Sequence, residues 1–391
     1  MSQIAAKSFR SLQWRNLIAA CATVAVFTFS LGEMFPLLAL KMEKWGISSS
    51  VIGLNSAMPP IGILLAGLVI PKLAHKFGSR RVVLVMVFLT AMVILTYPAV
   101  PYLAAWFVLR LAQGMFVATL FALSEAWIVK FAEGQYRARI VGAYATVVSA
   151  SFGLGPLVIG YLGIEGFAPF VAGAAVLLLA MLPISLVDDA AAGEADEQEE
   201  HVSIIAFAPK APMLLFAVGF HAVFDGAMLS FLSVYGVRYG YDVATAALLI
   251  TALALGNVFF QIPIGLIADR TSKPETIKVC FGLTVLTMLL LPAAIETPFV
   301  WPLVLVAGAA GFGIYTVGLA MLGDRFTGTD LVAGTAAFAT VWGGGSLVGA
   351  VLCGWTMDGF GPDALPYTLA AVFGVYLVVS ARRPLIASQR A

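Results

Sequence analysis

The sequence predicts an all-α integral membrane protein, with twelve transmembrane helices arranged as two pseudo-symmetric six-helix bundles. Three observations carry that expectation: a composition too apolar for a water-facing surface, twelve apolar runs of spanning length, and self-similarity at one fixed offset. Of 391 residues, 61% are hydrophobic and 11% charged, against about 45–50% and about 25% in soluble domains. That balance excludes a cytosolic enzyme, a nucleic-acid binder and a disordered chain. The net charge of +1 offers no field for a polyanion. Cys21, Cys280 and Cys353 all sit in apolar runs without metal-ligand spacing, so no disulfide framework, metal or cofactor is expected.

A bilayer-spanning helix needs about 20 mostly apolar residues. Such runs are read at 16–40, 49–70, 82–100, 104–129, 140–162, 168–187, 211–235, 243–267, 276–294, 299–321, 332–354 and 365–381. Glycine (38) and proline (19) are used freely, as in closely packed membrane helices. The alternating ten-residue strands of a β-barrel do not occur. The first span contains Glu33 and leads to no small-residue cleavage site, so it reads as a mature helix rather than a signal peptide. Of the 22 Lys and Arg residues, eighteen fall on the side that holds both ends; Lys41, Lys44 and Arg238 fall opposite, and Arg110 lies within a span. By the positive-inside rule both ends are cytoplasmic. Residues 188–210, rich in Asp and Glu, read as an acidic cytoplasmic linker between an N-terminal bundle (1–187) and a C-terminal bundle (211–391). Trp45, Trp106 and Trp301, near span ends, read as interfacial anchors.

Sliding the chain along itself by 194 residues aligns the halves without a gap over five spans. Gly32 falls on Gly226, Lys44 on Arg238, Gly46 on Gly240, Gly114 on Gly308, Tyr144-Ala-Thr-Val on Phe338-Ala-Thr-Val, and Gly155 on Gly349. Parallel repeats of this kind, related by an axis along the membrane normal, are a transporter architecture. Its substrate site lies between the halves near the midplane, and rocking of the halves alternates access.

The loop after span 8 reads Gly265-Leu-Ile-Ala-Asp269-Arg270-Thr-Ser-Lys273, and its counterpart after span 2 reads Pro71-Lys-Leu-Ala-His75-Lys76-Phe-Gly78-Ser-Arg80-Arg81. An aspartate at such a turn can cap a neighbouring helix N-terminus. Here the chain resembles the major facilitator superfamily, whose loop signature is Gly-x-x-x-Asp-(Arg/Lys)-x-Gly-(Arg/Lys)-(Arg/Lys). The second loop keeps the Gly and Asp; the first carries Pro71 and His75 in their places. Arg110-Leu-Ala-Gln113-Gly114 is similar to the family's Arg-x-x-x-Gly motif, and Gly153-Leu-Gly155-Pro156 to its Gly-Pro motif, which is associated with antiporters. Ser124-Glu125-Ala-Trp127, followed by Arg137, Arg139 and Tyr144, resembles the YcaD-like branch. The resemblance implies a cytoplasmic gate made of His75, Lys76, Arg80, Gly265, Asp269 and Arg270. Gly155, Pro156 and Gly349 would form a helix-packing hinge.

Ionisable groups deep in a span cost about 2.5–3.5 kcal/mol on insertion scales and mark functional candidates. Arg110, Gly114, Ala118, Phe121 and Glu125 form one helical stripe on span 4, expected to face the central cavity. Glu125 has an alternative role as the partner of Arg139 or Lys130. Glu33 on span 1, near Ser30 and Thr23, is a candidate proton carrier, or else a carboxylate balanced by Lys41 or Lys44. His221 and Asp225 share a face of span 7 and read as a proton-exchanging pair or a structural link. Asn55, Gln113, Asn257, Gln261 and Tyr315 complete the expected substrate and proton pathway.

The function expected is a secondary active transporter that moves a small organic solute by alternating access, coupled to protons, with export by antiport preferred. A proton-coupled importer and a non-transporting membrane sensor are the alternatives. No Gly-x-x-x-x-Gly-Lys-Ser/Thr loop is present to use ATP. An intramembrane enzyme would have to build a dyad from Ser346 and His221 without a supporting motif. The expected setting is the inner membrane of a bacterium, as a monomer, with lipid, protons and solute as partners and no nucleic acid. A cationic or zwitterionic solute suits the one intramembrane Arg and several carboxyls better than a sugar.

Overall fold

The computed structural model describes residues 3–67, 69–131, 137–186 and 204–380; the acidic run 188–200 lies outside them. Every regular element among them is helical: α1 (Gln3–Lys44), α2 (Ser49–Ser56), α3 (Met58–Ala66), α4 (Ile70–Phe77), α5 (Ser79–Ala99), α6 (Leu103–Phe131), α7 (Arg137–Leu162) and α8 (Ala168–Ser185). There follow the short α9 (Ile204–Phe207), a 3₁₀ turn (Ala208–Lys210), α10 (Pro212–Arg238), α11 (Val243–Arg270), α12 (Lys273–Ala294), α13 (Val300–Arg325), α14 (Gly328–Phe360) and α15 (Ala364–Ser380). Ten spans among the described residues are long and apolar enough to cross a bilayer, and the shorter apolar stretches Thr146–Leu162 and Ala364–Ser380 bring the number to twelve. The expected all-α, twelve-span architecture is the one observed.

Span two differs from the expected single helix. It breaks at Ala57 into α2 and α3, because Pro59 and Pro60 lack the N–H groups that the carbonyls of Asn55 and Ser56 would accept, and their rings crowd the preceding turn. Trp106 also differs from expectation. It is 0% exposed, donates from Nε1 to Val100 O at 3.0 Å and sits edge-on to Tyr97, so it is a core residue rather than an interfacial anchor.

The chain forms two compact units, Met1–Met34 with Met58–Glu197, and Phe35–Ala57 with Gln198–Ala391. Each unit is built on helix pairs that touch backbone to backbone through glycine, and the 194-residue offset recurs in these contacts. In the first unit a Cβ on Gly32 would lie 2.1 Å from Phe152 O; in the second, one on Gly226 would lie 2.1 Å from Ser346 O. Gly62 meets Leu111 O at 2.3 Å, and Gly256 meets Leu305 O at 1.9 Å. Gly114 meets Pro59 O and Gly308 meets Leu253 O; Gly155 meets Phe29 O and Gly349 meets Val223 O. In all four pairs both members of the contact shift by 194. Small residues at such crossings let membrane helices pack closely enough to associate by dispersion alone.

The turns that open α2 and α11 repeat too. Gly46 (φ 71°) and Gly240 (φ 86°) take the left-handed conformation that glycine adopts without penalty. Asp242 then caps α11, accepting from Thr245 N at 3.0 Å and from Thr245 Oγ1 at 2.5 Å. Those two hydrogen bonds hold its carboxyl below the ordinary value of 3.8. A lowered folded-state pKa means the cap stabilises above the unfolded value and fades as pH falls through the folded one. Asp242→Ala is expected to cost about 1 kcal/mol at neutral pH, read as a lowered melting temperature in detergent. The gap from wild type should close as pH drops below about 3.8, the unfolded-state value.

Candidate functional site

In the first unit the polar residues gather under Tyr97. From α5, its hydroxyl donates to Gln113 Oε1 on α6 at 3.0 Å, and Gln113 Nε2 donates to Ser30 Oγ on α1 at 3.2 Å. Arg110, one helical turn before Gln113, is 0% exposed. Tyr97 stacks on Phe170 of α8. Glu33, three residues beyond Ser30, is also 0% exposed, with its carboxylate against Gly173 of α8, where a Cβ would lie 2.1 Å from Oε2. Gly155 of α7 packs on the Glu33 main chain. Neither carboxylate oxygen has a hydrogen-bond partner among the described residues. The alternative reading, a carboxylate balanced by Lys41 or Lys44, is therefore not realised by hydrogen bonding.

Gly114 is filled by the main chain of Pro59, and Phe121 packs on Phe27 at 5.0 Å between centroids. Glu125 is exposed, and the side chains of Lys130 and Arg139 lie outside the described set. Ser124 and Tyr144, from the stretch that resembles the YcaD-like branch, join α6 to α7 through a 2.9 Å hydroxyl contact.

Several polar residues of the second unit lie within its spans. His221 and Asp225 lie one turn apart on α10, 3% and 5% exposed, yet they do not hydrogen-bond each other. His221 Nδ1 meets Gly311 O of α13 at 2.9 Å; a carbonyl only accepts, so Nδ1 carries the proton. Its ring faces Phe312 and Tyr315 at 5.6 and 5.5 Å between centroids. Asp225 Oδ2 accepts from Trp342 Nε1 of α14 at 3.1 Å. Along α11, Gln261 donates to Asn257 and accepts from Thr316 of α13. Asn55 of α2 is wholly buried, and its amide atoms have no hydrogen-bond partner among the described residues. Ser346 contributes its main chain to the Gly226 crossing and does not hydrogen-bond His221, so the hydrolytic dyad is not formed.

At the loop after α11, Asp269 does not cap a helix. Its carboxylate pairs with Lys273, the first residue of α12, at 3.2 Å, and Lys273 bridges to Asp324 at the end of α13 at 2.7 Å. Gly265 has open space around it. In the equivalent loop His75 and Lys76 are exposed, Arg80 is half-buried, and Lys76 lies over the Phe77 ring. Pro156 sits inside an unbroken α7; Gly155 of α7 and its counterpart Gly349 of α14 are each packing contacts within their own unit.

Tyr97, Gly173, Thr316 and Trp342 escape a reading of the sequence. An isolated aromatic or glycine in an apolar run carries no periodic signal, and each acts only through a partner on another helix.

The Major Facilitator Superfamily model matches residues 18–316 and 214–388. An uncharacterized MFS-type transporter of Bacillus subtilis (strain 168), YfkF, is 24% identical over 90% of this chain and 92% of its own. One from Enterobacter sp. (strain 638) is 22% identical over 94% and 96%. Among solved structures, the nucleoside transporter NupG superposes with a TM-score of 0.79 at 13% identity, covering 95% of this chain and 98% of that one. A bacterial homologue of the human lysosomal transporter Spinster, inward-facing and unoccupied, gives 0.74 at 14% identity over 95% and 96%. These likenesses establish the fold. With a family model that runs nearly end to end and a duplicated helical architecture, the chain belongs to the Major Facilitator Superfamily of multi-pass membrane transporters.

Proposed function

We propose that this transporter is a secondary active one, moving a small organic solute by alternating access between halves 1–187 and 211–391, in exchange for protons and in the direction of export. It works as a monomer in a bacterial inner membrane with both ends cytoplasmic, following the distribution of Lys and Arg. The gate residues His75, Lys76, Arg80, Gly265, Asp269 and Arg270 then lie on the cytoplasmic side. Glu125, Arg110, Gln113, Asn257, Gln261 and Tyr315 remain candidates for the pathway.

The observation that carries the proton coupling is Glu33. An ionised carboxylate in an apolar interior needs donors or a counter-charge, and among the described residues Glu33 receives no hydrogen bond. Loading and unloading a proton at Glu33 is thereby tied to whatever rearrangement of α1, α7 and α8 supplies donors. Glu33→Gln keeps the shape and removes the titration. In proteoliposomes with an internal pH dye, wild type should move protons against solute, and Glu33→Gln should lose at least tenfold of that proton flux while staying folded. Solute movement indifferent to the pH gradient in both proteins rules out the coupling.

A further inference from the structure

A groove of about 570 Å³ runs along the second unit between α10, α14 and α15, within the range of about 300–1,000 Å³ that small-molecule sites occupy. Every side chain that lines it is apolar, and two of them, Phe216 and Val348, are 59% and 49% exposed. The groove lies away from the polar groups of α10. His221 and Asp225 follow the lining residues Gly219 and Val223 by two positions, which at about 100° per residue puts them on nearly the opposite face of the helix. α14 likewise meets α2 on its other side. A Cβ on Gly53 would lie 2.3 Å from Ala350 O, and one on Gly354 would lie 2.4 Å from Ser49 O; Ala350 and Gly354 stand two positions on from Val348 and Leu352 of the groove. A large apolar surface turned away from the unit's polar residues marks a place for an apolar partner.

Its length and its two ends fit a lipid chain. From Pro212 to Val223 the lining runs along α10 for about 16 Å, at about 1.5 Å per residue; half of a hydrocarbon core of about 30 Å is about 15 Å. The inner end, at Val223, is near the middle of α10. At the outer end the lining stops at Ala208 and Pro212. Lys210, between them, donates to both carboxylate oxygens of Asp330 at 2.6 and 2.7 Å, and each side chain is nearly half exposed. The floor is glycine that the shared packing does not require. The glycines of the helix crossings recur at the 194-residue offset, but Gly219, Gly344 and Gly345 fall on Ala25, Ala150 and Ser151, each at least one atom larger. A Cβ on Gly344 would have nothing within 4 Å. Glycine is a poor helix former, so its use at a position with open space keeps room for an occupant.

We propose that this groove seats one acyl chain of a zwitterionic membrane phospholipid, with the phosphate at Lys210 and the head-group amine at Asp330. Bulk lipid is as apolar as the groove, so the chain gains only dispersion contact with a preshaped wall. Selectivity comes from the head, where Lys210 and Asp330 present one charge of each sign. An anionic head would satisfy Lys210 and be repelled by Asp330. The site is separate from the transport pathway and takes from the reading above only the name of its leaflet, the cytoplasmic one.

The test uses purified full-length protein in detergent with limiting phosphatidylethanolamine that carries a diazirine within one acyl chain. After irradiation and digestion, the label is expected on α10 between Pro212 and Val223 and on α14 between Val341 and Leu352. The exposed Val85 and Phe88 of α5 should stay unlabelled. Unlabelled phosphatidylethanolamine should compete about tenfold better than phosphatidylglycerol, the worth of one hydrogen bond to a charged group, and Lys210→Ala should abolish that preference. Gly344→Leu fills the groove and should cut the label about five- to a hundredfold, as overfilling a packed site does. Gly282→Leu, on α12 and also facing open space, should leave it unchanged. Should Gly344→Leu fail to fold, the label map and the head-group preference of the wild type still decide. Label spread evenly over exposed apolar residues, equal competition by the two lipids, or full labelling of a folded Gly344→Leu overturns the proposal. So does label lost as the protein self-associates on size exclusion, which would seat a second copy in the groove. No step measures transport, so failure here leaves the transporter reading untouched.

Discussion

Gly256→Leu is expected to yield no folded, monodisperse protein, and Gly256→Ala to fold with a much reduced melting temperature. A Cβ at this position would lie 1.9 Å from Leu305 O and 2.9 Å from Ala309 N. Both are main-chain atoms of α13, so no side-chain rotation relieves the clash and the α11–α13 pair must separate. Overfilling a packed interior costs typically 1–3 kcal/mol when side chains can yield; here nothing yields. In a bilayer, separation is also not opposed by any gain from burying apolar surface, since lipid is as apolar as the partner helix. The same result is expected at Gly62, which meets Leu111 O and Met115 N, both shifted by 194 from the Gly256 contacts. Gly282→Leu is the control, because a Cβ there has nothing within 4 Å. Size-exclusion profiles and melting curves of the three Leu variants read the effect. Equal behaviour of Gly256→Leu and Gly282→Leu refutes the close-contact argument.

These contacts explain why the fold is legible from sequence and the site only in part. The repeat is visible as identities such as Gly32 with Gly226 and Gly155 with Gly349 because close packing leaves no other residue possible there. That constraint acts on both halves and keeps them in register. Polar function is not duplicated: Arg110 aligns with Val304, Asp225 with Leu31, and Glu33 with Ala227. A rule that finds the scaffold is thus blind to the chemistry. Intramembrane charge alone does pick out Glu33, Arg110, His221 and Asp225, since burying such groups is costly enough to make them rare. It cannot pick their partners. Four-residue spacing pairs His221 with Asp225, yet each bonds a partner from another helix, Gly311 of α13 and Trp342 of α14. The break in span two is likewise written in Pro59-Pro60 but is hidden by a hydropathy that stays high through both halves.

Arg238→Ala is expected to loosen the α1–α2 turn, and Asp358→Ala to loosen it further along the same edge. Arg238, at the last turn of α10, donates from Nε to Glu43 Oε1 at 2.7 Å and from a terminal nitrogen to Glu43 Oε2 at 2.8 Å. It also reaches Ser49 Oγ at 2.8 Å. Asp358 of α14 accepts from the main-chain N–H of Ser49 at 2.7 Å and of Ser50 at 2.8 Å, and from the Ser50 hydroxyl. Ser48, the N-cap residue of α2, makes no side-chain cap of its own, so Asp358 satisfies donors that a local cap would otherwise take, from a residue 309 positions away. An exposed ion pair contributes 0–1 kcal/mol; a two-pronged arginine pair of which both members are about four-fifths buried should contribute more, roughly 2 kcal/mol at moderate salt. Removing the Asp358 cap costs about 1–2 kcal/mol, and the two losses will not add because both converge on Ser49. At about 1.4 kcal/mol per factor of ten, the loss of the Arg238 pair raises the open population of this edge more than tenfold, and the loss of the Asp358 cap raises it roughly five- to thirtyfold. Ile52 of α2 is 0% exposed, so Ile52→Cys, in a chain whose three native cysteines are replaced, reacts with a membrane-impermeant maleimide only when the edge opens. The labelling rate should rise tenfold or more with Arg238→Ala and less with Arg238→Lys, which keeps the charge but cannot make the two-pronged contact. High salt should narrow the difference between the variants, since the pair remains partly solvated. Labelling rates that do not change in Arg238→Ala and Asp358→Ala would mean that the turn is held by apolar packing of α2 against α10 and α14 alone, and that these charges only decorate a closed edge.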